Sequence, residues 1–89
     1  MSASDDSLID YPCDFPIKIM GLAADGFAAA VGVVVKAHVP GFDPNSISAR
    51  ASAQGRYLAL TCVVRVESRE QLDNLYRDLS THPAVTLVL

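Results

Sequence analysis

Residues 26–37 read GFAAAVGVVVKA, and whether they coil or extend decides the fold. Valine favours strands and alanine favours helices, so local propensity is divided. Spacing breaks the tie. Phe27, Val31, Val34 and His38 fall at i, i+4, i+7 and i+11, one face of a helix. A run of about 13 residues also exceeds a typical strand. The segment is read as a helix, with Asp25 as its N-cap and Pro40-Gly41 as its stop.

Upstream, Phe15, Ile17 and Ile19 alternate with Pro16, Lys18 and Met20, which predicts a strand ended by Gly21. Proline cannot donate to a ladder, so regular pairing is expected from Ile17. Downstream, Phe42 to Ser46 reads as a loop. Ile47, Ala49 and Ala51 alternate with Ser48, Arg50 and Ser52, and Gln54-Gly55-Arg56 supplies a hairpin turn. Tyr57 to Val66 is the clearest strand. Leu58, Leu60, Cys62, Val64 and Val66 share one face, and Tyr57, Ala59, Thr61, Val63 and Arg65 the other.

Ser68 followed by Gln71 forms a capping box that opens a second helix. Its buried stripe is Leu72, Leu75, Tyr76 and Leu79, with Asp73 and Arg77 spaced to pair on the wet side. His82-Pro83 ends it, and Val85, Leu87 and Leu89 make a short last strand.

The order β-α-β-β-α-β predicts an α+β, ferredoxin-like sandwich: a four-stranded antiparallel sheet with two helices on one face. The first-strand residues Phe15, Ile17 and Ile19, the third-strand residues Leu58, Leu60, Cys62 and Val64, and the last-strand residues Val85, Leu87 and Leu89 should face the helices. Lys18, Met20, Arg50, Tyr57, Val63, Arg65 and Val88 should lie on the open face. Residues 1–10 are expected to be a disordered tail, and residues 11–89 a single domain.

Composition narrows the function. The 89 residues carry 7 Lys and Arg against 10 Asp and Glu, a net charge of −3. Duplex binding needs phosphate-neutralising cations, so nucleic acid is not expected as a partner. The start MSASDDSLID has neither a basic nor an apolar region of a secretory signal. No run approaches the roughly 18 apolar residues of a membrane span. A cytoplasmic protein with reduced thiols is expected, with no membrane association.

The common chemistries of this fold are poorly served. A metal chaperone needs thiolates at Cys-x-x-Cys spacing, whereas Cys13 and Cys62 lie far apart in sequence. Pairing of the first and third strands could make them neighbours, but both have core-facing parity, so buried structural cysteine is the simpler reading. An iron–sulfur cluster needs four thiolates. RNA-recognition sheets stack bases on several aromatics, and here only Tyr57 is available. A phosphate cradle in the first strand–helix loop would want a cation, but Gly21-Leu22-Ala23-Ala24-Asp25-Gly26 carries a carboxylate. His38 and His82 each sit near a helix end, where the helix dipole accounts for them. Arg50, Arg56 and Arg65 are either solvated charge or an anion clamp. No carboxylate pair is placed for acid–base work. Neither a metal nor a cofactor is expected.

Residues Tyr11 to Gly21 (YPCDFPIKIMG) resemble the opening of the YbeD-like family of small bacterial proteins. His38-Val39-Pro40-Gly41, then Ser52, Gly55 and Tyr57, then Leu75-Tyr76 and Leu79, then Val88-Leu89 extend the likeness in order over residues 11–89. It departs at Pro16 and at Ala53-Gln54. The resemblance implies an ACT-like fold and a regulatory, non-enzymatic role, with a link to lipoate metabolism. ACT domains often bind an amino acid near the first strand–helix loop at a dimer interface. Carried over, that marks Gly21, Leu22, Ala23, Ala24, Asp25 and Gly26 for an amino-acid or lipoate-like ligand. The alternative is a protein partner or a second copy on the open face, at Lys18, Met20, Arg50, Tyr57, Val63 and Arg65.

Overall fold

The computed structural model describes residues 10–52 and 54–89. Except for Asp10, the expected tail lies outside the described residues. Along the chain run β1 (Cys13–Leu22), α1 (Phe27–His38), a 3-10 turn (Pro44–Ser46), β2 (Ser48–Ala51), β3 (Tyr57–Val66), α2 (Arg69–Thr81) and β4 (Val85–Val88). The strands form one antiparallel sheet in the order β2-β3-β1-β4, and both helices pack on one face of it. The predicted ferredoxin-like architecture is the observed one.

Val33 shows why residues 27–38 coil. A strand would put it on one face with Val31 and Val35. In the structure Val31 and Val35 are buried, while Val33 is 71% exposed. Phe27, Val31, Gly32 and Val35 face the sheet and the 3-10 turn, so the buried stripe is rotated slightly from the expected one. Gly32 weakens a helix interior by roughly 1 kcal/mol relative to alanine. It earns its place by packing, since a Cβ there would lie 3.2 Å from Pro44 Cβ. The expected N-cap moves by one residue. Gly26 takes that position at φ 85°, in the left-handed region that glycine enters without strain, and Asp25 does not cap.

Proline is accommodated in β1 earlier than expected. Pairing with β3 begins at Cys13↔Val66 and runs through Pro16↔Val63. Lys18 exchanges backbone hydrogen bonds with Leu89, at 3.1 and 2.8 Å. Pro16, two residues earlier, turns its nitrogen to the same side, past the end of the β4 pairing. No ladder bond is lost there.

The expected face of the last strand needs correcting. Ile19 pairs with Val88, Met20 with Leu87, and Gly21 with Val85, so Thr86 is an extra residue in a bulge. A bulge reverses side-chain parity on one side of itself. Val85 and Val88 therefore both pack on the core, while Leu87 and Leu89 are 47% and 62% exposed.

The second helix keeps its predicted stripe of Leu72, Leu75 and Leu79, with Tyr76 half-buried. Asp73 does not pair with Arg77. It takes Arg69 Nε at 3.3 Å, and Arg77 donates to Asn74 Oδ1 at 3.1 Å.

Candidate functional site

At the end of β1 the chain turns into α1 through residues that the sequence marked. Gly21 lies within β1, where a Cβ would press on the Ala84 carbonyl oxygen and stand 2.5 Å from Phe27 Cζ. The absence of a side chain thus lets the α2–β4 connection and the first turn of α1 close over the strand. Ala23 N–H donates to Arg56 O in the β2–β3 hairpin at 2.8 Å, and Phe27 N–H donates to Ala24 O at 3.2 Å. These bonds hold the turn against its neighbours.

A cavity of about 350 Å³ opens beside it. Leu22, Ala24, Asp25 and Gly26 line it, whereas Gly21 and Ala23 are structural members of the turn. Phe27 and Ala30 of α1 complete one wall, and Pro83, Ala84 and Thr86 the other. The second wall was missed because it is about 60 residues away in sequence and arrives only through β4 pairing. Thr86 Oγ1 is engaged, donating to Met20 O at 3.0 Å. The lining is mostly apolar, with one carboxylate and the uncapped start of a helix beside it. Helix N-terminal N–H groups suit an anion, and Asp25 suits a cation, so together they can hold a zwitterion with an apolar body.

The open face forms a second candidate surface. Lys18 pairs with Thr61, Met20 lies between Ala59 and Leu87, and Leu22 pairs with Tyr57. Arg50 lies opposite Ala59 on β2, separated from Met20 by β3. Arg65 is held by Asp14, at 3.4 Å. Leu22, Tyr57, Val63 and Leu87 are 55%, 38%, 56% and 47% exposed. Leu87 joins this face only because of the bulge.

The cysteines do not meet. Cys62 pairs with Ile17 and Cys13 with Val66, four positions apart along β1. Cys62 is fully buried, and burial pushes its thiol up to about 11. His38 Nε2 lies 2.6 Å from Asp78 Oδ2 and ties the end of α1 to α2. Ala84 N–H donates to His82 Nδ1 at 3.1 Å. No helix among the described residues is long and apolar enough to cross a membrane.

Two solved structures share this architecture. Protein HP0495 from H. pylori superposes with a TM-score of 0.74 at 13% identity, covering 91% of this chain and 85% of that one. The ACT domain from the GTP pyrophosphokinase of Chlorobium tepidum gives 0.58 at 21% identity, covering 86% and 97%. At these identities the likeness concerns the fold alone. Closer in sequence, a UPF0250 protein of Nitrosomonas europaea is 50% identical over 86 residues, 97% of this chain and 99% of that protein. One from Janthinobacterium sp. (strain Marseille) is 57% identical over 84 residues, 94% of this chain and 92% of that protein. The family described as "Protein of unknown function (DUF493)" matches residues 6–89, and the chain belongs to it, alongside these small bacterial UPF0250 proteins.

Proposed function

We propose that this domain is a non-enzymatic regulatory module that binds a small molecule in the cavity between the β1–α1 turn and the α2–β4 connection. The observation that carries the reading is that cavity, about 350 Å³ and mostly apolar, with Asp25 beside an uncapped helix start. Its volume falls in the range of roughly 300–1,000 Å³ usual for small-molecule sites. An apolar α-amino acid matches the lining: its carboxylate would meet the first turn of α1, its ammonium Asp25, and its side chain Phe27 and Pro83. Octanoate and lipoate, which the lipoate link brings in, share the apolar body but lack the ammonium. The ACT-like fold supports a regulatory role by analogy only.

Thermal-shift and NMR titrations against apolar amino acids, lipoate and octanoate test the reading. Binding should move the amides of residues 24–30 and 83–86, and Asp25→Asn should weaken an amino acid without weakening a fatty acid. A flat response to every compound from folded protein would remove the proposal.

A second reading places a protein partner on the open face, favoured by the exposure of Leu22, Tyr57 and Leu87 there. The double variant Tyr57→Ala with Leu87→Asp should abolish capture of such a partner. Undiminished capture by the folded variant would exclude this surface.

A further inference from the structure

The β3 strand is covered by β2 along only part of its outer edge. Their register ends at Ser48 opposite Thr61, whereas β3 continues to Val66. Ser52 N–H donates to Tyr57 O at 2.9 Å, so the odd-numbered residues of β3 turn their backbone groups toward β2. Backbone direction alternates along a strand. Val63 and Arg65 therefore point two N–H and two C=O groups at an edge that β2 does not reach. Exposed edges are commonly guarded by lysine, proline or a bulge. Here Arg65 is drawn onto Asp14, and Val63 is 56% exposed.

A groove of about 470 Å³ runs along this edge. Its far wall is the segment from Val39 to Asp43, which is held in place. Lys36 Nζ donates to Pro40 O and Phe42 O, at 3.3 and 3.4 Å, and the Phe42 side chain is buried. Ser46 Oγ donates to Asp43 O at 2.6 Å. The groove is thus preformed and as wide as an anchored wall permits. Its charged lining is Asp14, Asp43, Glu67 and Arg65, and the Arg65–Asp14 pair leaves Asp43 and Glu67 uncompensated by it.

We propose that the β3 edge at Val63–Arg65 accepts an extended, basic segment of a partner protein as an added strand. Main-chain hydrogen bonds would supply affinity, and Asp43 and Glu67 would select lysine or arginine side chains. A second copy of this chain is a poor occupant, because the same carboxylates would face each other and each copy carries a net charge of −3. This groove lies at the end of the sheet opposite the turn cavity, so the two proposals stand or fall separately.

The probe is the peptide acetyl-Lys-Val-Lys-Val-Lys-Val-amide, titrated into isotope-labelled protein at low salt, with its glutamate counterpart as control. The basic peptide should shift the Val63 and Arg65 amides and slow their hydrogen exchange by about tenfold at saturation. The acidic peptide should do neither. Asp43→Asn with Glu67→Gln should weaken the basic peptide about three- to tenfold. Asparagine keeps the side-chain oxygen that accepts from Asn45 N–H, so the wall survives. Absence of shifts at Val63 and Arg65, equal binding of both peptides, protection on another edge, or unchanged affinity in the double variant would each overturn the proposal.

Discussion

The first turn of α1 starts from Gly26, at φ 85°, and no side chain among the described residues caps it. The first turn of α2 starts from Ser68, whose hydroxyl accepts from Gln71 N–H at 3.2 Å, while Gln71 Oε1 accepts from Glu67 N–H at 2.6 Å. One helix closes its own end, and the other leaves it open beside a cavity. The second is strongly amphipathic and its boundaries are written in neighbouring residues. The first is apolar almost all round, and only the sheet and the 3-10 turn decide which side is buried. An element that relies on packing for its place can present its end to a ligand, because local sequence is not spent on sealing it.

The contrast breaks most severely at Gly21. Gly21→Ala should cost about 3 kcal/mol, because its Cβ collides with a backbone carbonyl and the Phe27 ring that seats α1. Urea denaturation would measure this, and a loss under 1 kcal/mol would mean that α1 does not depend on that close approach.

Beneath both helices lies Cys62, and pH tests that shared floor. Its thiol is pushed from 9.0 up to about 11 by burial, so the folded chain keeps a proton that the unfolded chain has released. Stability should be intact below pH 9 and fall by about 2–3 kcal/mol as pH rises from 9 to 11. Burial also raises Tyr76, which adds to the fall above pH 10. In Cys62→Ala the part below pH 10 should flatten, as read by urea denaturation across that range.

Gln71 joins the two helices, since its Nε2 donates to His38 O at 2.8 Å while its Oε1 serves the start of α2. Gln71→Ala should cost about 1–2 kcal/mol and speed amide exchange at both that start and the end of α1. Exchange confined to α2 would break the link. The smallest effect sharpens the comparison most. Val33→Ala should stabilise by about 0.5 kcal/mol, because an exposed valine in a helix gives way to the best helix former. Destabilisation would mean that Val33 packs against something.

Much of this was legible because its causes are local. Alternation in residues 57–66, the Ser68 cap and the Leu72–Leu75–Leu79 stripe each occupy one short window and are present as read, while Gln71 Oε1 accepts from Glu67 N–H, one residue before the Ser68 N–H of the usual box. The strand–helix turn at Gly21–Gly26 was legible as a break, and four of its six residues line the cavity. Pro83, Ala84 and Thr86 were not, because nothing near them in sequence refers to β1.

Residue order alone determined the α+β arrangement, the buried face of β3 and where α2 begins, since periodicity and capping act over a single turn or pleat. Tertiary structure decided the rest. The extra residue at Thr86 turned Leu87 outward and Val88 inward, and the register of β2 ended at Thr61, so β2 does not cover the β3 edge beyond it. Both follow from how strands distant in sequence align, which no window of neighbouring residues contains.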